Sequence, residues 1–329
     1  MILLTGATGE IGPNVIAALH NLGHKIRSFS LDPPPASIGF EGIEVTIGDI
    51  TNATAVQAAM QDVDAIIHMA ALRQSMNPTG ELEEQYKRVN VNGTAIVVEA
   101  AIKANVRRLV FFSTIHVYGD TNGQMVNELT KPHPDTLYGR TKFDAEKIVL
   151  SAKNSHGQSM GVVLRLAAVY GSRVKGNYRQ LLMALAKNRF VPIGRGENRR
   201  TLIYAKDVAN AAVLAMTHPA AAGQIFNVTD GKYHNMNEII STMCDSLGRS
   251  RPRFSLPVSP IRLIAGFAED LARFIGIQSP VSRVTIDKYT EDIAADGQRI
   301  QSLLGFAAQY DLISGWRETI KEISEMGEL

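Results

Sequence analysis

The sequence predicts an α/β protein built on a parallel, doubly wound sheet, with a smaller and mostly C-terminal second lobe. Three observations carry this reading. Short apolar runs alternate with helical patterns through the first half of the 329 residues, as repeated βαβ units require. The first run, Ile2 to Thr5, opens into the glycine-rich turn Gly6-Ala7-Thr8-Gly9-Glu10-Ile11-Gly12. The runs ending at residues 5, 68 and 113 all carry small or polar residues at their ends, where open α/β sheets bind ligands.

Strands are expected over 2–5, 25–29, 43–47, 65–68, 109–113 and 161–166, and helices near 10–22, 53–60, 81–104 and 136–153. After residue 167 the pattern becomes irregular, with turns at 171–172, 192–196 and 257–260. A helix from Ile261 to Ile275 puts Ile261, Ile264, Phe267, Leu271, Phe274 and Ile275 on one broad apolar face. Its other face mixes Arg262 and Arg273 with Glu269 and Asp270, which favours packing on the core over lying on a membrane.

Composition bounds the function. With 45% hydrophobic and 20% charged residues the chain can bury a large core. A net charge of +2 carries no nucleic-acid signature. The single Cys244 excludes a disulfide within the chain and fits a reducing compartment. The first strand starts at residue 2, so no secretory leader is read, and no run of about 18 apolar residues suggests a membrane span. The expectation is a soluble cytoplasmic protein with no nucleic-acid, membrane or metal partner.

Two constellations carry chemistry. In the glycine turn, backbone N–H groups can approach a pyrophosphate with the positive end of the following helix behind them. Its Gly-x-x-Gly-x-x-Gly spacing is one residue wider than the common dinucleotide fingerprint. In Leu137-Tyr138-Gly139-Arg140-Thr141-Lys142, Tyr138 and Lys142 are four residues apart and share a helix face. A phenol of pKa about 10 needs a neighbouring cation to work as a base near neutral pH, and Lys142 is placed to supply it. The Thr114 hydroxyl, at the end of the apolar run 109–112, can bind the same substrate oxygen. That set suits moving a proton on or off an alcohol while a hydride leaves or joins its carbon.

The glycine turn, Thr114, Tyr138 and Lys142 together resemble the extended short-chain dehydrogenase/reductase superfamily, and within it the NAD-dependent epimerase/dehydratase branch. Further marks stand in order over nearly the whole chain: Gly48-Asp49-Ile50, His68-Met69-Ala70-Ala71, Asn90-Val91-Asn92-Gly93-Thr94, Val117-Tyr118-Gly119, Leu164-Arg165, Val169-Tyr170-Gly171, Arg200 seven residues before Asp207, and Asn227-Val228. The resemblance implies a Rossmann-like dinucleotide-binding domain over 1–166, with returns near 202–216 and 224–228. It leaves 167–329 as a discontinuous substrate-binding lobe. It also implies a homodimer through the helices near 81–104 and 136–153.

The resemblance implies cofactor contacts from Gly6, Thr8, Gly9, Glu10, Ile11, Gly12, Ser30, Asp32, Asp49, Ile50, Met69, Ala70, Ala71, Asn90, Ser113, Tyr138 and Lys142, and substrate contacts from Thr114 and Arg200. Asp49 is expected at the adenine, or as a helix N-cap. Asn90, a poor helix former, suggests a hydrogen-bonding task near the active-site strand. His68 is not expected to be catalytic. The acidic residue that holds the ribose of NAD is replaced by Ser30, with Asp32 two residues late. NAD is preferred; NADP, admitted by Ser30 with Arg27, is the alternative.

On the substrate side, Arg200 matches an arginine that holds a sugar-nucleotide diphosphate, a task suited to a planar guanidinium. Arg199 is expected at the surface and Arg165 either between the lobes or at ligand. The Asn that many sugar-nucleotide members carry three residues after that arginine is Ala168 here. The resembled 4,6-dehydratases carry Asp-Glu directly after the Thr, whereas Ile115 and His116 stand here. The sequence therefore favours a 4-epimerase of a UDP-hexose working through a 4-keto sugar. A reductase of a keto-sugar or other small carbonyl is the alternative, followed by a non-catalytic dinucleotide sensor.

Overall fold

The computed structural model of the chain describes residues 1–34, 42–73, 80–274 and 283–329. In chain order the first half runs β1 (Ile2–Thr5), α1 (Gly12–Asn21), β2 (Ile26–Ser30), β3 (Glu44–Ile47), α2 (Ala53–Ala59), β4 (Ala65–His68), α3 (Gly80–Tyr86), a π-helical turn (Lys87–Gly93), α4 (Thr94–Lys103), β5 (Arg108–Thr114), a 3₁₀ turn (Ile115–Tyr118), β6 (Met125–Val126), α5 (Leu137–Ser151) and β7 (Gly161–Leu166). The second half adds β8 (Ala168–Tyr170), α6 (Asn177–Ala186), β9 (Arg199–Arg200), β10 (Leu202–Tyr204), α7 (Ala205–Thr217), β11 (Ile225–Val228), β12 (His234–Asn235), α8 (Met236–Leu247), α9 (Val258–Phe274), α10 (Arg283–Thr290), β13 (Ala294–Ala295), α11 (Gln298–Leu304) and α12 (Leu312–Glu325).

Seven strands form one parallel sheet in the order β11-β7-β5-β4-β1-β2-β3. Its winding reverses between β1 and β4, and the crevice outside their carboxyl ends is where such sheets bind ligands. The central strands are buried on both faces, so neighbours in sequence enter different cores. Leu3 and Ile66 pack under α2, α4 and α5, while Leu4 and Ile67 join α1 and α7 on the other face. Such strands read as unbroken apolar runs rather than as alternation.

Local chemistry explains the element ends. Pro13 sits in the first turn of α1, whose Val15, Ile16 and Leu19 are buried at helical spacing. Asn52 caps α2 by accepting from Ala55 N at 3.1 Å, and Thr136 caps α5 by accepting from Gly139 N at 3.1 Å. The single helix expected over 81–104 is interrupted by the π-helical turn. A Cβ on Gly93 in that turn would lie 2.8 Å from Ile50 Cδ1, so a larger residue there requires the Ile50 side chain to shift.

Beyond residue 167 the expected irregularity gives way to regular helices around a third core that includes Leu182, Ile239, Met243, Trp316, Ile320 and Ile323. Two of those helices announce themselves locally. Asn235 with Glu238 and Asp311 with Ser314 form reciprocal caps at the starts of α8 and α12. β11 lies in the main sheet beside β7, and α7 packs on the α1 face through Ala211, Ala212 and Ala215.

The expectation for α9 does not hold. Ile264 and Phe267 are 62% and 74% exposed rather than packed on the core. The inward side of the helix carries Ala265 and Gly266 instead. The side chains of Leu271 and Phe274, and residue Ile275, lie outside the described residues.

Candidate active site

The glycine turn follows β1 at the point where the sheet reverses. Gly6 has φ +70, and a Cβ there would lie 2.8 Å from the backbone N and Cα of Ala70, in the segment after β4. A Cβ on Gly12 would lie 1.9 Å from the Ala7 carbonyl oxygen. These glycines let β1, α1 and the segment after β4 close around a bare backbone cradle, the shape a pyrophosphate needs. Among the residues expected at the cofactor, Gly6, Thr8, Gly9, Ile11, Gly12, Met69 and Ala70 gather here. The Glu10 side chain pairs with Arg73, and that arginine also donates to the Lys175 carbonyl at 2.9 Å.

His68 ends β4 inside this cradle. Its Nδ1 is 2.6 Å from the Thr5 hydroxyl and its Nε2 is 3.0 Å from the Thr94 hydroxyl. The Thr94 hydroxyl donates to the Asn90 carbonyl at 2.7 Å, so it accepts from Nε2–H and the ring is the Nε2-protonated tautomer. Burial, then the nearby Lys142, pulls its pKa down to about 3. His68 is a neutral bracket between β1 and the helix that carries Asn90.

The Asn90 side chain accepts from Leu72 N at 2.7 Å, and its amide donates to the Leu72 carbonyl at 3.3 Å and to the Thr141 hydroxyl at 3.4 Å. It therefore ties the segment after β4 to α5, and the π-helical turn aims it there. This contact is a hydrogen-bonding task beside the active-site elements of the kind expected of Asn90. Asp49 departs from its alternative role. Its carboxylate accepts from Thr51 N at 2.8 Å in a local turn, while the α2 cap is Asn52.

At the end of β2, the Ser30 hydroxyl accepts from Thr8 N at 3.4 Å, and Asp32 is exposed just beyond. Arg27 cannot serve a 2′-phosphate. Its guanidinium donates to Glu44 at 2.7 and 3.0 Å and to the carbonyls of Ala59 and Gln61 at 2.8 and 2.6 Å. Residues 28 to 72 contain neither Lys nor Arg.

Strand β5 and helix α5, which carry the residues expected to be catalytic, meet beside the cradle. Thr114 ends β5 with 7% of its surface exposed, and its oxygen accepts from His116 N at 3.3 Å. Tyr138 lies on the first turn of α5, and Lys142 one turn on, with its ammonium 4.0 Å from the centre of the Phe111 ring. Burial draws Lys142 down to about 7, against the pull of Glu146. The expected lowering of Tyr138 by Lys142 is absent. Burial first, and the neighbouring Tyr86 phenol second, push Tyr138 up to about 12. The two rings stand edge to face at 6.4 Å.

Several partners came from the tertiary structure. Glu146, one more turn along α5, accepts from the Ser113 hydroxyl, so the Ser113 side chain is tied to α5 rather than aimed at a cofactor. Glu146 also takes a bidentate pair from Arg165 at 3.0 and 2.7 Å. Arg165 thus locks β7 to the catalytic helix, and its guanidinium lies 4.9 Å over the Tyr118 ring. Tyr118 donates to Asn227 at 2.8 Å, and Tyr170 stacks on Trp316 at 4.5 Å, which makes both tripeptide tyrosines packing residues. The i, i+4 spacing from Lys142 to Glu146 was the one local signal for this network.

Beyond Thr114 opens a pocket of about 430 Å³ lined by His116, Tyr178, Arg200, Lys288, Tyr289 and Glu291 among others. Arg200 is 9% exposed. One of its amino groups donates to the Tyr289 carbonyl at 3.0 Å and to that of Lys288, while its buried Nε has no partner. A buried donor left unmatched at a pocket wall favours an anionic ligand. Arg199 instead pairs with Asp292 at 2.7 Å, partly exposed. His116 is drawn down to about 4, by burial first and then by Lys288, so it enters the pocket as a neutral ring.

The model of the NAD dependent epimerase/dehydratase family matches residues 2–229. The chain belongs to this family. Over 97% of its length it is 27% identical to the N-acetyl-α-D-glucosaminyl-diphospho-ditrans,octacis-undecaprenol 4-epimerase of Escherichia coli O157:H7, covering 94% of that protein. It is 29% identical to the UDP-glucose 4-epimerase of Vibrio cholerae over 97% of this chain and 94% of the relative. The fold matches that of the UDP-glucose 4-epimerase of Thermotoga maritima, solved with UDP-glucose, with a TM-score of 0.81, 21% identity and 99% of each chain covered. The family's dinucleotide is NAD, and the glycine cradle is shaped to receive it. Among the described residues no helix is long and apolar enough to cross a membrane.

Proposed function

We propose that this protein inverts C4 of a hexose carried on a diphosphate, with a UDP-hexose as the first substrate to test. The observation that carries the reading is one pocket lined by both Thr114 and Arg200, whose buried Nε has no partner. A volume of about 430 Å³ is in the range that holds a drug-sized ligand. Relatives across nearly the full chain length are 4-epimerases of diphosphate-linked sugars.

NAD would lie on the glycine cradle with its adenosine ribose toward Ser30 and Asp32, and it supplies the acceptor and donor of hydride. The lack of any Lys or Arg from 28 to 72 leaves a 2′-phosphate without a counter-charge and supports NAD over NADP. Tyr138, held up at about 12 by burial in the free protein, would remove the proton from the C4 hydroxyl and return it on the way back once the positive nicotinamide ring of bound NAD supplies the cation beside it. Thr114 holds the same oxygen, Lys142 binds near the reacting end of the cofactor, and Arg200 anchors the diphosphate while the sugar presents its two faces in turn. The neutral His116 and the apolar Ile115 leave no acid directly after Thr114, so elimination of water is not supported by that segment.

The supporting experiment supplies UDP-glucose, UDP-galactose and their N-acetyl forms with catalytic amounts of NAD. The C4 epimers should interconvert with no net change in reduced-nicotinamide absorbance. Reduction of a simple carbonyl with stoichiometric loss of reduced cofactor, and no turnover of any diphosphate sugar, would replace the epimerase with the reductase. We further propose a homodimer through the outer faces of α4 and α5, supported by the exposed Ile102 beside the part-buried Ile96 and Ile148 and testable by light scattering.

A further inference from the structure

We propose that α9 and the segment leading into it dock on an anionic phospholipid surface. This goes beyond the epimerase reading and does not depend on it. Helix α9 is mounted with its small residues inward. Ala265 is 4% exposed, and a Cβ on Gly266 would lie 2.3 Å from the Arg283 side chain of α10. The bulky residues point outward instead, with Leu263 65%, Ile264 62% and Phe267 74% exposed. Phe254, 81% exposed, and Leu256, 40% exposed, precede the helix in the same stretch of chain.

The charge of this stretch is one-sided. Residues 249–274 hold five arginines, Arg249, Arg251, Arg253, Arg262 and Arg273, against two acids, Glu269 and Asp270, both near the far end of α9, in a chain whose totals of 34 basic and 32 acidic residues nearly balance. Arg251 pairs with Asp245 and Arg262 with Asp287, each at 2.7 Å. Arg249 and Arg253 are exposed and have no ion-pair partner among the described residues. Apolar side chains that protrude from a convex helix suit a soft headgroup and acyl boundary, and guanidiniums beside them complement lipid phosphates. A folded protein partner would need both a groove shaped to side chains this far exposed and carboxylates placed for the arginines, whereas a headgroup layer meets both needs without a fixed geometry.

The placement has a consequence for the pocket. α9 is clamped to α10 by Arg262 with Asp287 at 2.7 Å and by Arg283 with Asp270 at 2.8 Å. α10 in turn contributes Thr285, Lys288 and Tyr289 to the pocket wall. Docking through α9 would hold the pocket one helix away from the lipid surface, where an amphiphilic substrate is presented.

Co-sedimentation of the full chain with phosphatidylglycerol/phosphatidylcholine vesicles tests this, with phosphatidylcholine vesicles as the comparison. Binding to the anionic vesicles is expected, about tenfold tighter than to the neutral ones and weakened by salt. Ile264→Glu with Phe267→Glu should reduce it about tenfold or more while leaving turnover of a soluble sugar nucleotide and the melting temperature unchanged. Should that pair impair folding, Arg249→Gln with Arg253→Gln, both exposed and unpaired, should also reduce binding about tenfold. Failure of the wild type to bind anionic vesicles, or undiminished binding by well-folded variants, overturns the proposal. So does a wild-type oligomer that the same substitutions dissociate without any vesicle binding, which would make the face a contact between copies of the chain.

Discussion

Around the glycine turn the chain builds a site almost entirely from backbone: Gly6 and Gly12 permit contacts that a Cβ would close, and the neutral His68 is bracketed by two threonines. The pocket beyond Thr114 is made the opposite way, from side chains: a largely aliphatic and aromatic lining that also holds Arg200, Lys288 and Glu291, delivered mainly by β5 and the turn after it, α6, β9, α10 and the residues after α10. The first site depends on φ angles and close approach, which tolerate little. The second depends on side chains, with the Arg200 charge held by the carbonyls of Lys288 and Tyr289, and residues there can be exchanged for a different ligand. Helix α5 carries Tyr138, Lys142 and Glu146 in one row, and in the proposed function it would serve both sites.

The largest expected effect falls on that shared helix. Tyr138→Phe should lower kcat by about 10²–10⁴-fold while NAD affinity, read by calorimetry, stays close to wild type. Near-normal turnover would move the proton transfer to another group. Next comes the support behind the row. Glu146→Ala leaves the Arg165 guanidinium, 2% exposed, buried without its carboxylate and should cost about 3–5 kcal/mol in chemical denaturation. Replacing both partners with apolar residues should recover much of that loss. A small effect of Glu146→Ala alone would show that solvent reaches the pair.

On the cradle side, Gly12→Ala should destabilise by about 1–3 kcal/mol and weaken NAD binding in the same variant, because the added Cβ would lie 1.9 Å from a carbonyl oxygen. Arg200→Ala on the pocket side should mainly raise KM, since a diphosphate is held alike in ground and transition states. If Arg200→Ala lowered kcat and left KM unchanged, the pocket would be acting on the reacting atoms and the contrast between the sites would narrow.

A further effect is in pH. Lys142 falls from its ordinary 10.5 to about 7 in the folded protein, through burial. Between those values the unfolded chain binds the extra proton, so stability contributed by this position rises with pH across the window. The difference in unfolding free energy between wild type and Lys142→Met, without NAD, should therefore move in favour of the wild type from pH 7 upward. A flat difference would place the ammonium in contact with solvent or with a stronger anionic partner.

Much of the first half was legible because its information is local. The runs 2–5, 65–68 and 161–166 are strands with the same bounds as expected, and the caps at Asn52 and Thr136 act on residues three positions away. The second half was less legible, although the reciprocal cap from Asn235 to Glu238 was present in the sequence as a helix start. Helix α9 misled for a different reason. Its amphipathic pattern was real, but a pattern records that a helix has two faces and not which one the rest of the chain covers.

By itself the sequence determined the doubly wound sheet, the glycine turn and the Thr114, Tyr138 and Lys142 set, since each follows from residue spacing and near-neighbour sterics. Only the tertiary structure decided that Arg27 is taken up by Glu44, that Asn90 braces α5, that Tyr138 rests as a phenol held up at about 12, and that Arg200 lines the pocket with its buried Nε unmatched. Those outcomes depend on burial and on partners far apart in sequence, such as Glu146 with Arg165 or Arg200 with the end of α10. Desolvation and charge pairing act through space, and the order of residues along a chain does not contain the distances that set them.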